Sequence, residues 1–214
     1  MKQTAISARN VTKRFGQEEI LHGITHDFET GKIHGIVGNN GSGKSVFFKC
    51  VCGFLIPEVG EIFVEGKQVG KDVDFPDSLG TIIESPGFLA GASGFKNLKL
   101  LAALKGIADN ERIREVIRLS GLDPDLKKPV GKYSLGMRQR LGIAQAIMEE
   151  PRCLILDEPF NGLDKQGVRD MRELIKGLRG EGRTILLASH NAADIEALCD
   201  TVCEMEAGVL TVIA

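Results

Sequence analysis

The chain lacks a charge excess, a long apolar run, an even set of cysteines and any repeat, and each absence narrows what it does. Its 214 residues carry 27 Lys and Arg against 29 Asp and Glu, a formal net charge of −2. No field of one sign steers it toward nucleic acid, so no nucleic-acid partner is expected. No apolar run approaches the ~20 residues that a membrane helix needs. The first residues, Met1-Lys-Gln-Thr-Ala-Ile-Ser7, lack the apolar stretch of a secretory signal. A cytoplasmic protein is the expectation. The five cysteines, Cys50, Cys52, Cys153, Cys199 and Cys203, are odd in number, which speaks against a disulfide framework. Cys199 and Cys203 are four apart and would share a face if helical. With no histidine at ligand spacing, they read as small buried hydrophobes rather than metal ligands.

Apolar residues make up 43% of the chain, enough for a sizeable core. The length fits a single domain, residues 1–214, carrying a lobe. Residues 2–30 suggest short strands and turns, with partial alternation from Thr4 to Val11. Ile33 to Val37 is a short buried strand. Lys44 to Val51 is a helix with Val46, Phe47, Cys50 and Val51 inward. Glu61 to Glu65 and Thr81 to Ile83 are further strands. From about 86 to 150 helical spacing takes over. Leu98, Leu101 and Leu104 form one stripe, and Ile113, Val116 and Ile117 another. A third helix runs from Leu135 to Glu149, with Leu135, Leu141, Ile143 and Ile147 as core, and Pro151 stops it. Cys153 to Leu156 and Thr184 to Ala188 are apolar on both faces, as in central parallel strands. A helix from Val168 to Leu178 between them completes a crossover unit. The tail from Val202 to Ile213 suggests edge strands around Gly208.

Gly38-Asn39-Asn40-Gly41-Ser42-Gly43-Lys44-Ser45 matches the pattern G-x-x-x-x-G-K-[ST]. The glycines let the backbone curl so that its N–H groups point at phosphate oxygens, and the helix that follows adds a partial positive charge. Lys44 reaches the β- and γ-phosphates, and the Ser45 hydroxyl ligates Mg²⁺. Val46 follows on the same helix. A chance match is expected in under about 1% of chains of this length. ATP and Mg²⁺ are the cofactors implied.

Asp157 follows four apolar residues and so stands at the carboxyl end of a strand, where parallel sheets bind ligands. It is suited to hold Mg²⁺. Glu158 is placed to take a proton from an attacking water.

With these strings in this order, the chain resembles the ATP-binding cassette (ABC) family of ATPases from Phe15 to about Gly208. The fold implied is α/β: a P-loop NTPase core with a mostly parallel sheet, an N-terminal antiparallel β-part and an inserted helical lobe. Tyr133-Ser134-Leu135-Gly136-Met137 resembles the family signature Leu-Ser-Gly-Gly-Gln, departing from it at Leu135 and Met137. The resemblance implies that Ser134 and Gly136 contact the γ-phosphate of an ATP held by a second copy. A homodimer or pseudo-dimer follows from the same resemblance. Asn161-Gly-Leu-Asp164 resembles the family's D-loop, and His190 its switch histidine. Phe15 matches the aromatic that stacks on adenine.

Glu84 stands where the family carries a glutamine near Mg²⁺. An ionised carboxylate only accepts hydrogen bonds and adds negative charge near the phosphates, so it either binds the metal more strongly or loosens the site without metal. The Glu84 loop and the string Tyr133 to Ala144 are similar to those of bacitracin-type and lantibiotic-immunity exporters. The resemblance implies the ATP-hydrolysing subunit of a transporter, at the inner face of the cell membrane and acting through separate transmembrane permease subunits. A soluble ATPase of iron–sulfur cluster assembly and a non-hydrolysing nucleotide-dependent scaffold are the alternatives.

Overall fold

The computed structural model describes residues 3–84 and 87–214. Met1 and Lys2, in the opening segment, lie outside the described residues. So do Ser85 and Pro86, near the position where the helical stretch was expected to start.

Two sheets form the frame. The smaller is antiparallel: β1 (Thr4–Phe15), β2 (Glu18–Glu29), β4 (Val59–Val64) and β5 (Lys67–Gln68), in the order β2-β1-β4-β5. The larger holds β3 (Ile33–Val37), β6 (Leu79–Ile82), β7 (Cys153–Asp157), β8 (Thr184–Ala188), β9 (Thr201–Glu206) and β10 (Val209–Val212). Its order is β10-β9-β3-β8-β7-β6. All its neighbours pair in parallel except β9 and β10, a hairpin around Gly208. The α/β expectation with a mostly parallel sheet therefore holds.

The opening segment is two strands of 12 residues rather than several short ones. Their pairing shifts register several times, which breaks the strict alternation that would have marked them as long.

Side chains alternate across the parallel sheet, and the alternation makes two cores. Leu154, Leu156, Ile185 and Leu187 face one side. There they meet α2 (Gly94–Lys105), α3 (Asn110–Leu119), α4 (Leu135–Ile147) and α5 (Lys165–Gly180). Cys153, Ile155, Leu186 and Ala188 face the other side. There Phe47, Phe48, Cys50 and Val51 of α1 (Lys44–Val51) fill the space up to the antiparallel sheet. Phe48, not Val46, completes the buried face of α1, and Val46 stays half exposed.

The helical stretch differs from expectation at two leucines. Ala102 takes the inward position of α2, and Leu104 is 82% exposed. Leu135, expected in the core, is 53% exposed because it opens α4 at the surface. A sixth helix, α6 (Ala192–Leu198), has no apolar stripe long enough to be read from sequence. It ends at Leu198, so Cys199 and Cys203 do not share a helix face: Cys199 caps α6 and Cys203 lies in β9. Burial pushes the Cys199 thiol up to about 12 and the Cys203 thiol up to about 11, as for small hydrophobes. Among the described residues, no helix is long and apolar enough to cross a membrane.

Gly80 in β6 locks α4 against the sheet edge. A Cβ there would overlap the Ala146 carbonyl oxygen and approach Pro151 at 2.8 Å. Both obstacles are rigid, so overpacking cannot relax cheaply. Gly80→Ala should lower unfolding free energy by about 2 kcal/mol in denaturant titration; wild-type stability would show that this edge is loosely packed.

Candidate active site

Parallel register decides where the chemistry lies. Ile36 pairs with Ala188, Asp157 with Ala188, and Ile82 with Leu156. The carboxyl ends of β3, β8, β7 and β6 therefore open on one edge. The phosphate loop, His190 and Glu84 follow the ends of β3, β8 and β6, and Asp157 closes β7 with Glu158 next. A cleft of about 680 Å³ lies there, lined by Phe15, Asn40, Gly41, Gly43, Lys44, Ser45, Val46, Glu84, Asp157 and Glu158 among others. Gly38, Asn39, Ser42 and His190 line a second hollow, which shares Asn40 and Gly41 with the first.

The loop needs its glycines for different reasons. Gly43 has φ 108°, a left-handed conformation that side chains rarely adopt. Gly38 runs so close to β9 that a Cβ would overlap the Met205 carbonyl oxygen. Among the described residues, the other five α-helices begin at a side-chain cap: Ser93, Asp109, Ser134, Asp164 and Asn191. α1 begins at Gly43 with none. Its first N–H groups are left for an anion, and the helix dipole favours one.

The polar groups of the loop also suit a phosphate. Lys44 Nζ donates to the Gly38 carbonyl at 2.7 Å and the Asn39 carbonyl at 3.0 Å, folded over the loop. The buried Ser42 Oγ has no hydrogen-bond partner among the described residues.

Asp157 is buried, and its Oδ2 accepts from Ser45 Oγ at 2.9 Å. Burial pushes its carboxyl above the ordinary range. The Ser45 hydroxyl and the Lys44 charge oppose this shift, Glu84 adds to it, and Lys49 opposes it. A hydroxyl and a carboxylate side by side are hard oxygen donors, which fits Mg²⁺.

Glu158 is held from three sides in a left-handed conformation, φ 52°. Its N–H donates to the Ala188 carbonyl at 2.9 Å, and its own carbonyl accepts from Gln139 Nε2 at 3.1 Å. Its Oε2 meets His190 Nδ1 at 2.7 Å. Such strain at a strand end persists only where surroundings enforce it. The loop carrying His190 is itself anchored. Ser189 Oγ donates to the buried Asp194 at 3.1 Å, and Arg172 Nε donates to the same carboxylate at 2.9 Å.

Three candidate residues are not among those lining the cleft. Ser134 accepts from Met137 N–H at 3.2 Å and caps α4. Asp164 accepts from Gly167 N–H at 2.8 Å and caps α5. Gly136 packs on the loop between them, where a Cβ would lie 2.5 Å from the Gly162 carbonyl oxygen. None of these three lines the cleft around Lys44, although Leu135, between Ser134 and Gly136, and Asn161 and Gly162, ahead of Asp164, do.

Phe15 ends β1 on the rim, 48% exposed, with Lys13 Nζ 5.5 Å from its ring centre. Ile20 lies beside it in the cleft wall. Sequence reasoning missed Ile20, Gln139 and Lys49. Gln139 had a signal, a polar residue three positions from Gly136 on the inward face of α4. Lys49 had none, because its partner Glu84 is 35 residues away.

Similarity to known proteins agrees with this geometry. The sequence profile of the ABC transporter family matches residues 21–161. The uncharacterized ABC transporter ATP-binding protein YybJ of Bacillus subtilis (strain 168) is 41% identical over 205 residues, 96% of this chain and 94% of that protein. The bacitracin transport ATP-binding protein BcrA of Enterococcus faecalis is 37% identical, over 96% of this chain and 67% of its own length. Among solved structures, an ATP-binding subunit of an ABC transporter superposes with a TM-score of 0.87 at 26% identity, over 97% of this chain and 88% of the other. The chain belongs to the ABC transporter family, as an ATP-hydrolysing subunit with the family's P-loop NTPase fold.

Proposed function

We propose that this chain powers the export of a peptide antibiotic through separate membrane-spanning permease subunits, docked on them at the inner face of the cell membrane. Residues 1–214 act as one nucleotide-binding domain, with the helices near 86–150 as its lobe. The observation that carries the catalytic part is the single edge where the phosphate loop, Asp157, Glu158 and His190 converge. The substrate class is supported by the 37% identity to a protein named for bacitracin transport.

In this reading the loop from Gly38 to Gly43 and the open end of α1 bind the phosphates of ATP. Lys44 turns from the loop carbonyls to the β- and γ-phosphates, and Phe15 stacks on adenine. Ser45, Asp157 and Glu84 hold Mg²⁺, which when bound supplies positive charge against the phosphates. Glu158 accepts a proton from the attacking water. His190, already on the Glu158 carboxylate, orients it and contacts the γ-phosphate. Ser134, Gly136 and Asp164 act in trans: the capped start of α4 in a second copy covers the γ-phosphate, so closure of the dimer completes the site. Product release then reopens it and drives the permease.

Glu158→Gln removes the proton acceptor and keeps the shape. Hydrolysis should fall at least ~100-fold, with ATP affinity within about twofold of wild type. A host carrying this variant should become more sensitive to the exported peptide. Unchanged turnover removes Glu158 as the base; lost turnover with unchanged sensitivity to bacitracin-like and lanthionine peptides removes the substrate class.

The buried Asp157 charge should cost stability. Its folded pKa is raised above the unfolded value, mainly by burial, so the cost is absent below the unfolded pKa and complete above the folded one. Asp157→Asn should therefore raise the nucleotide-free melting temperature at pH 7 by about 2–4 °C and weaken Mg²⁺-dependent ATP binding. The gain should vanish as pH falls below the ordinary carboxylate range. A lower melting temperature at pH 7 would show that the carboxylate is a structural asset.

A further inference from the structure

β6 ends at Ile82, and Glu84 follows with φ 60°, the left-handed region. In this conformation the Glu84 carboxylate reaches across to α1, where Oε1 meets Lys49 Nζ at 2.6 Å. Lys49 lies in the last turn of α1, four residues after Ser45 and so on the same helix face. Glu84 lines the cleft together with Lys44, Ser45, Asp157 and Glu158. Asp157 feels Glu84 and Lys49 with opposite sign. An unpaired Glu84 would be a third carboxylate facing the space where polyphosphate binds, opposed mainly by Lys44.

We propose that Lys49 is a positioning residue. In the absence of metal it holds the Glu84 carboxylate against α1 as a contact ion pair, so that a glutamate at this place does not repel the triphosphate. The proposal rests on the reading of the cleft as an ATP site. The pair's side chains are 32% and 63% exposed, so it adds little to folding stability, and its effect falls on the ligand. Lys49 acts through Glu84 rather than as a second phosphate lysine, so it matters only while position 84 is charged.

The test is ATP binding by calorimetry in EDTA, where metal cannot mask the carboxylate. Lys49→Met should weaken binding about fivefold, and the loss should shrink as salt is added. In the Glu84→Gln background the same change should cost less than about twofold, and Lys49→Arg should keep wild-type affinity. Equal losses in both backgrounds would make Lys49 an independent charge or a structural residue. No loss in Lys49→Met, or Arg behaving like Met, also overturns the proposal. Wild type and Lys44→Ala serve as controls. If wild type binds no ATP, or Lys44→Ala binds as tightly as wild type, the ATP-site reading itself fails and this inference falls with it.

Discussion

β3, β8, β7 and β6 run parallel and in step, with Asp157 beside Ala188 and Ala188 beside Ile36. Because parallel strands share a direction, every strand's carboxyl end falls on one edge of the sheet. Residues separated by more than 150 positions, from Gly38 to His190, therefore meet without any element bending toward another. The hydrogen bond from Ser45 to Asp157 is the local expression of this geometry, tying the start of α1 to the end of β7. The two cores on either side of the sheet keep the strands in register. A slip by one residue would turn Leu154 and Leu156 to the wrong face.

The edge gathers opposed charges. An uncapped helix start, Lys44 and Lys49 supply the positive side; Asp157, Glu158 and Glu84 supply the negative. Burial makes the Asp157 carboxylate reluctant to ionise, and Glu158 sits in a backbone conformation that its side chain disfavours. Both are features that folding alone would avoid. They stay because neighbours enforce them: Ser45 on the one, Ala188, Gln139 and His190 on the other.

Local chemistry was legible from sequence, and long-range contact was not. The phosphate loop could be read because eight adjacent residues carry the whole device. The strands at Cys153 and Thr184 could be read because full burial leaves apolar runs. The length of β1 and β2 was hidden by their register shifts, and Leu104 misled because spacing of three drifts off a helix face of period 3.6. Leu135 continued the apolar pattern of its helix, yet it opens α4 at the surface. The pairing of Lys49 with Glu84 and the hold of Gln139 on Glu158 join distant segments through tertiary structure alone.

One chain presents an open cleft whose wall reaches Leu135 and Gly162, while Ser134 and Asp164 are engaged as helix caps and, like Gly136, do not line it. Two copies, each offering its capped α4 to the other's phosphate loop, would give both halves of this arrangement a use. The most direct measurement is sedimentation velocity of the Glu158→Gln protein with and without saturating Mg-ATP. A shift from the mass of one chain to that of two when nucleotide is added is the expected result. A particle of single-chain mass at saturating Mg-ATP would contradict a shared site.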